Sequence, residues 1–287
     1  MSDEIIGLQS WFASPAGRYL LDWEQVRFDE AVADVFGYHA LQLGLPVLGG
    51  LAASRIPHRW LALDGERWSR ADRIDEAVRG SSGVDGGPPS PPEQPAQPWA
   101  LRTDYHALPF APQSLDLVLA PHALELSHDP HAALREIERV LIPEGRLALC
   151  GFNPMSLWGI KERRSRLIAR FGWGHGFLPE GAAPIGYWRL RDWLRLLSFE
   201  VESVQFGCWR PAVTSPQWLR RHAWLDTAGE RWWPILGAAY FLTATKRVAG
   251  MRKLEAGWKT RVMALPPAPI PIANSANQQK AGGINHS

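Results

Sequence analysis

The stretch from Trp99 to Asn153 constrains the fold of this chain more than any other part of the sequence. It contains two near-continuous apolar runs, 115–120 and 146–151. Runs of this length are typical of parallel strands that are buried on both faces of a sheet.

The segment between the two runs has the pattern of a helix. Asp129 and Pro130 supply a capping carboxylate and a proline at the first helical position. Apolar residues then recur at three- and four-residue spacing as far as Leu141, and the Pro-Glu-Gly sequence at 143–145 predicts the end of the helix. Strand, helix and strand in this order predict a right-handed crossover and a parallel sheet.

Similar patterns continue on both sides of this stretch. They predict helices over 15–34, from Ser156 onward and over 186–197, and strands over 38–43, 59–63, 100–102, 199–208 and 239–246. In parallel sheets ligands bind at the carboxyl ends of the strands. We therefore expect Asp104, His122 and Asn153 to lie along one rim.

Several motifs in the central stretch carry a family resemblance. They are Asp104 ahead of the Leu-Pro-Phe at 108–110, the LDLVL at 115–119, the Asp-Pro at 129–130 and the RVLIPEGRLAL at 139–149. In this order and spacing they resemble the second half of the methyltransferase type 11 domain, a family of class I S-adenosylmethionine-dependent methyltransferases. Leu115, Ile142 and Glu144 depart from the usual residues of these motifs.

The resemblance implies a fold and an activity. The fold class is α/β, with a Rossmann-like, seven-stranded, mostly parallel sheet, helices on both faces and a C-terminal antiparallel hairpin. The activity is that of an enzyme which uses S-adenosyl-L-methionine to methylate a small-molecule acceptor. A nicotinamide-dependent dehydrogenase on a similar sheet would need a G-x-G-x-x-G pattern after the first strand, and that pattern is absent.

The resemblance also assigns cofactor contacts to the ends of the first four strands. Those contacts would be Gln42, Gly44, Asp64, Asp104, Tyr105 and Ala120. Asp64 would bind the ribose hydroxyls, Asp104 the adenine amino group, and Tyr105 would lie beside the adenine ring. The competing interpretation is an ordinary turn for Asp64, and a turn or helix cap for Asp104.

The first glycine loop is the point where the chain departs most from the family. The sequence LQLGLPVLGG at 41–50 keeps Gly44, but Gln42 stands at the usual acidic position and Leu45 and Pro46 replace the next residues. Glycine matters there because only a bare backbone can approach the ligand closely. The alternative is therefore a methyltransferase-like binding protein that has lost the cofactor and contacts a partner or a membrane surface.

Three residues after the fourth and fifth strands are candidates for contact with the acceptor. His122 titrates near neutral pH and could accept a proton, and Glu125 is a second candidate one turn later. Asn153 stands where the resemblance places acceptor-side residues. A structural histidine is the competing interpretation of His122. The sequence contains no metal-binding motif, and Cys150 and Cys208 are expected to be small buried hydrophobes.

Composition bounds the remaining expectations. We expect one methyltransferase domain over 8–248, with a low-complexity, disordered insertion at 80–98 and a disordered tail at 249–287. The net charge of +2 does not favour nucleic acid as a partner. With no signal peptide or spanning segment in the sequence, we expect a cytoplasmic monomer.

Two surface features leave alternatives open. The basic amphipathic segment 156–170 could make peripheral contact with a membrane, or could simply be a solvated face. The tryptophans at 218, 224, 232 and 233 could line an apolar acceptor pocket, but we expect them to form aromatic core.

Overall fold

The protein is represented by a computed structural model that describes residues 11–64, 99–169, 176–179, 181–213 and 215–247. The strands are β1 (His39–Leu43), β2 (His58–Asp64), β3 (Trp99–Thr103), β4 (Leu115–Pro121), β5 (Leu141–Phe152), β6 (Phe199–Gly207) and β7 (Ala239–Lys246). The helices are α1 (Pro15–Ala33), α2 (Ala123–Leu126), α3 (Pro130–Val140), α4 (Leu157–Ala169), α5 (Tyr187–Leu196), α6 (Pro216–Arg221) and α7 (Trp224–Trp232), with a 3₁₀ turn at Pro234–Leu236. The predicted insertion at 80–98 and the tail at 249–287 lie outside these ranges.

The strands form one seven-stranded sheet in the order β3-β2-β1-β4-β5-β7-β6. Strands β1 to β5 are parallel, and β7 runs antiparallel to both β5 and β6. Strand β4 and residues 147–152 of β5 are buried almost throughout, as their apolar runs require. The predicted fold class is confirmed.

Helix α3 forms for the reasons given by its sequence. The carboxylate of Asp129 accepts hydrogen bonds from the backbone N–H groups of His131 and Ala132 at 2.9 and 3.0 Å. Its apolar stripe, which includes Leu134 and Ile137, is fully buried against the sheet.

The predicted boundary between α3 and β5 was wrong. The helix ends at Val140, and β5 begins at Leu141 rather than at Arg146. Leu141 pairs with Leu115 at the start of β4, so the backbone becomes extended before it reaches the Pro-Glu-Gly sequence. That sequence lies inside the strand, where Glu144 adopts a positive φ of 64°.

The crossover from β1 to β2 consists of turns over residues 44–57, without a helix in that described segment. Pro46 and the Gly49-Gly50 pair disfavour a helix there. Leu48 and Leu51 are nevertheless buried, and they belong to the same core cluster as Phe28 and Val32 of α1. Helix α1 therefore supplies much of the cover on this face of the sheet.

The predicted burial of several tryptophans was wrong. Trp188 on α5 is 51% exposed. The four tryptophans expected to form aromatic core, at 218, 224, 232 and 233, have exposed fractions of 54%, 63%, 70% and 56%. Helices α6 and α7 are short and bury only Leu219 and Gly229, so their large aromatic side chains lie outside the core.

Candidate functional site

The carboxyl ends of β1, β2 and β3 lie side by side. The N–H of Gly44 donates to the carbonyl of Ala62 in β2 at 2.7 Å, and Asp64 is in register with Thr103 of β3. Asp104 follows β3 directly, so both predicted cofactor-binding aspartates lie on one rim. Asp104 is largely exposed and its carboxylate contacts Nδ1 of His106 at 2.7 Å.

The loop after β1 is tied together by Gln42. This side chain is buried, and its Nε2 donates to the carbonyls of Gly44, Leu45 and Leu48 at 3.1, 3.0 and 2.9 Å. A carboxylate at position 42 could accept hydrogen bonds but could not donate them. Glutamine at the usual acidic position therefore matches a loop whose carbonyls point inward.

Tyr105 covers Gly44, the glycine that directly follows β1. Gly44 has a φ of +71°, and a Cβ built on it would lie 2.7 Å from the hydroxyl of Tyr105. Tyr105 is 7% exposed and packs in the core cluster with Leu43. The bare backbone of Gly44 therefore faces a tyrosine in this conformation.

His122 lies at the end of β4 and is almost fully buried. Its backbone is in the left-handed region with a φ of 51°, and its N–H donates to the carbonyl of Cys150 at 3.1 Å. Nε2 lies 2.8 Å from the carboxylate of Glu24, and Nδ1 lies 2.9 Å from that of Glu125. The ring packs against Phe152, with 4.3 Å between ring centroids.

Glu125 joins three elements. One carboxylate oxygen accepts the N–H of Phe152 at 2.7 Å and a longer hydrogen bond of 3.4 Å from the N–H of Ile185, while the other faces His122. The backbone carbonyl of Glu125 also accepts the N–H of Ala183 at 3.0 Å. Glu125 therefore holds the end of β4 to β5 and to the segment that precedes α5.

Burial and the facing charges shift the pKa values of the groups in this cluster. It raises the pKa of the Cys150 thiol to about 12 and raises the pKa of Glu125, against the opposing effect of the His122 hydrogen bond. For His122 burial acts downward, but the facing Glu24 carboxylate contributes to a pKa well above the usual value.

Sequence reasoning found His122 and Glu125 but missed Glu24. Glu24 lies on the apolar face of α1 and is fully buried. A charged residue within the helical stripe that also contains Leu20 and Phe28 was the available signal, because an acid is almost never fully buried unless it is paired.

Asn153 is buried, and its side chain is engaged within the protein. Its Nδ2 donates to the carbonyls of Ile235 and Gly237 at 2.7 and 2.9 Å, and its Oδ1 accepts the N–H of Met155. It borders a groove of about 360 Å³ whose lining also includes Arg163 and Trp188. Asn153 therefore shapes the groove by fixing the chain around it.

The surface beside this groove is both apolar and basic. On α4, Leu157, Ile160 and Leu167 are exposed, while Trp158 and Glu162 face the protein. Trp218 of α6 and Trp224 and Trp232 of α7 are exposed as well. In the described part of the chain, no helix combines the length and hydropathy that spanning a membrane requires.

Comparison with known proteins identifies the central stretch. Residues 90–149 match the family described as "Methyltransferase domain". The chain is 38% identical over 104 residues to the uncharacterized protein YafS of Escherichia coli K12, a match that covers 36% of this chain and 40% of that protein. It is 40% identical over 65 residues to a malonyl-acyl-carrier-protein O-methyltransferase of Halorhodospira halophila, covering 21% and 22% of the two chains. The chain thus matches less than half the length of either curated relative.

Solved structures share the fold at low sequence identity. A S-adenosylmethionine-dependent methyltransferase from Thermotoga maritima has a TM-score of 0.51 at 15% identity, covering 83% of this chain and 94% of that one. A chain from a Haloferax volcanii complex that contains a methyltransferase activator has a TM-score of 0.53 at 18% identity, covering 84% and 98%.

Proposed function

We propose that this chain, which has the fold of the class I S-adenosylmethionine-dependent methyltransferases and carries the methyltransferase-domain segment, transfers a methyl group to a small-molecule acceptor. The observation that supports this most directly is the rim formed by β2 and β3. Asp64 and Asp104 end adjacent parallel strands beside Gly44, where ligands bind in open α/β sheets.

The cofactor would supply the reactive methyl group, and the protein would supply binding and orientation. In our proposal Asp64 accepts hydrogen bonds from ribose hydroxyls and Asp104 accepts one from the adenine amine. Backbone at Gly44 would lie along the methionine part once the ring of Tyr105 turns aside. Gln42 would hold the loop in shape, and Ala120 would contribute backbone at the end of β4.

Positioning of the acceptor is the main catalytic task that we assign to the protein. Good pre-orientation contributes roughly 7–11 kcal/mol to such reactions. Asn153 and the groove beside it are the proposed acceptor side. His122 and Glu125 lie beneath the rim, so a role as proton acceptor would require the contact between His122 and Glu24 to open.

Titration with S-adenosylhomocysteine tests the cofactor site. We expect micromolar binding to the full chain by calorimetry, weakened at least tenfold by Asp104→Ala and by Asp64→Ala, since a hydrogen bond to a charged group contributes about 1.5–3 kcal/mol. Asp192→Ala is the matched control, because Asp192 is an exposed aspartate on α5, away from the rim. The absence of heat and of thermal stabilisation at millimolar ligand would contradict the proposal.

A second candidate function is favoured by two observations. Tyr105 covers Gly44, and exposed arginines and apolar side chains occur together on α4, with further exposed tryptophans on α6 and α7. Exposed tryptophan beside arginine is typical of surfaces that lie in a membrane interface. We propose as the alternative a protein without cofactor that binds anionic membranes through this surface, including residues 156–168.

Vesicle flotation tests this alternative. The full chain should float with vesicles that contain anionic lipid and remain unbound with neutral vesicles, because the surface carries arginines such as Arg163 and Arg164. The double substitution Trp232→Ser/Trp233→Ser should abolish flotation. Trp99→Ser is the matched control, since Trp99 is 74% exposed but lies at the opposite end of the sheet. If the protein floats equally with both vesicle types, or floats with neither, the membrane-binding alternative is contradicted.

A further inference from the structure

The buried cluster beneath the rim contains the donor atoms of a metal site. Glu24, His122 and Cys150 each offer one ligand atom, and these atoms all lie within 4.8 Å of one another. They come from three separate elements, α1, the end of β4, and β5. All three side chains are at most 3% exposed.

One atom of this cluster lacks a partner. Among the described residues, Oε2 of Glu24 is buried without any hydrogen bond, although Oε1 of the same carboxylate contacts His122. Leaving a buried acceptor unsatisfied costs about 1–3 kcal/mol, and more when it is charged. The orphaned oxygen leaves the Glu24 carboxylate able to bind a further ligand.

The charges point to a cation. Two carboxylates, those of Glu24 and Glu125, share one imidazole in a fully buried place. With both carboxylates ionised and His122 protonated, one negative charge is left over, and burying such a charge is unfavourable. A divalent cation bound by the Glu24 carboxylate, the Cys150 thiolate and a neutral His122 would form a neutral unit. The charge of Glu125 would remain, with hydrogen bonds from Nδ1–H of His122 and the N–H of Phe152.

The second layer of contacts matches a metal-bound histidine. Nδ1 of His122 lies 2.9 Å from Glu125, and Glu125 is itself fixed by the N–H of Phe152. Histidines that bind metal through Nε2 commonly donate their other N–H to a carboxylate, which fixes the tautomer and the ring orientation. His122 has this arrangement, with Nε2 directed at the Glu24 carboxylate.

We propose that Glu24, His122 and Cys150 bind a zinc ion as three protein ligands, each through one atom: a carboxylate oxygen, Nε2 and the thiolate sulfur. Zinc accepts a mixed set of nitrogen, sulfur and oxygen ligands in tetrahedral geometry, whereas magnesium and calcium prefer oxygen alone. Tetrahedral bond lengths separate ligand atoms by about 3.3–3.7 Å. The 2.8 Å hydrogen bond between Glu24 and His122 would therefore widen by about half an ångström as zinc replaces the shared proton.

This site goes beyond the methyl transfer proposed above and does not depend on it. The sequence could not reveal it, because its ligands lie at positions 24, 122 and 150 without any of the short spacings of known zinc motifs. Zinc would join α1 to the two central strands. Metal binding would thereby stabilise the helix that covers this face of the sheet.

Metal analysis of the purified full chain tests the proposal. We expect about one zinc per chain in the wild type, and less than about 0.1 in Cys150→Ala and in His122→Asn, since each removes one of three protein ligands. Asparagine tolerates the left-handed backbone at position 122 better than most residues. Cys208→Ala is the matched control, because Cys208 is equally buried but lies outside the cluster, and it should retain its zinc.

Cobalt substitution keeps the test decisive if a variant fails to fold. Replacing zinc with Co²⁺ in the wild type should give the near-ultraviolet charge-transfer band of a thiolate ligand. Wild-type protein that is folded but holds less than about 0.1 metal ion per chain and takes up no Co²⁺ would overturn the proposal. So would bound cobalt without a thiolate band, or equal loss of metal in Cys208→Ala.

Discussion

The substitution Gln42→Glu is the sharpest test of how the first loop is built. It restores the acidic residue that the family resemblance leads us to expect, and it changes only an amide to a carboxylate. In the structure the amide nitrogen donates to three loop carbonyls at 2.9–3.1 Å. A carboxylate would place its oxygens against those carbonyl oxygens in a buried position.

The expected cost follows from the hydrogen bonds. An amide has two N–H protons, so at least two buried carbonyls lose their donor, at about 1–3 kcal/mol each. Adding the desolvation of a charged group, we expect a loss of about 3–5 kcal/mol in the free energy of unfolding at pH 7. In a domain of this size that corresponds to a decrease in Tm of about 10 °C.

The pH dependence gives this prediction a signature. Burial against carbonyls should raise the pKa of the introduced Glu above its unfolded value, so the folded state binds the proton more tightly. Stability relative to wild type should therefore recover as the pH falls from the raised folded pKa toward the unfolded value of about 4.3, because the protonated acid can donate one hydrogen bond. Thermal unfolding between pH 4.5 and 8 measures this.

An exposed glutamine provides the control. Gln217→Glu makes the same chemical change on α6 and should shift Tm by less than about 2 °C, since surface substitutions usually alter stability by under 0.5 kcal/mol. Equal Tm values for Gln42→Glu and wild type at pH 7 would refute the reasoning. The loop carbonyls would then not depend on Gln42, and the loop would be open to a ligand that pairs with an acid.

Three further predictions concern the same rim and the helix behind it. Gly44→Ala should lower stability by more than about 1 kcal/mol, because of its positive φ and the nearby hydroxyl of Tyr105, and adding Tyr105→Phe should recover part of the loss in denaturant unfolding. Equal losses in the single and double variants would mean that no clash exists. The hydrogen bond from Arg139 holds the pKa of Glu136 below its usual value of 4.5. The stabilising contribution of Glu136 is therefore present above pH 4.5 and is lost as the pH falls through the lower folded pKa. Glu136→Gln should destabilise the protein at pH 7 and approach wild-type stability in acid, and urea unfolding at both pH values checks this. Asp129→Ala removes the cap of α3 and should lower the free energy of unfolding by about 1 kcal/mol. An unchanged midpoint of urea unfolding would contradict this prediction.

Much of the fold could be predicted because its signals are local. The cap at Asp129, the apolar runs of β4 and β5 and the strand at Ala239–Lys246 all appear in the structure as the patterns predict. The boundary at Leu141 was wrong, because pairing with Leu115 in another strand overrides the local stop signal.

The predicted burial of the tryptophans was wrong for a related reason. Hydrophobicity indicates that a residue gains from burial, but it does not say whether the fold provides a surface to bury it against. Trp158 on α4 is 1% exposed. It packs beside the residues that follow β6, because its Nε1–H donates a hydrogen bond to the carbonyl of Arg210 there. Trp232 on α7 is 70% exposed, and nothing in its sequence neighbourhood distinguishes the two.

The sequence by itself determined the order of the strands and of the four longer helices, α1, α3, α4 and α5, and the positions of the rim aspartates, because hydrophobic periodicity and capping act between near neighbours. Only the tertiary structure decided what surrounds each polar side chain. It brought Glu24 to His122 across 98 positions of sequence and placed Tyr105 over Gly44. Hydrogen bonds and charges act over a few ångströms in space, and sequence separation carries no information about such distances until the sheet has formed.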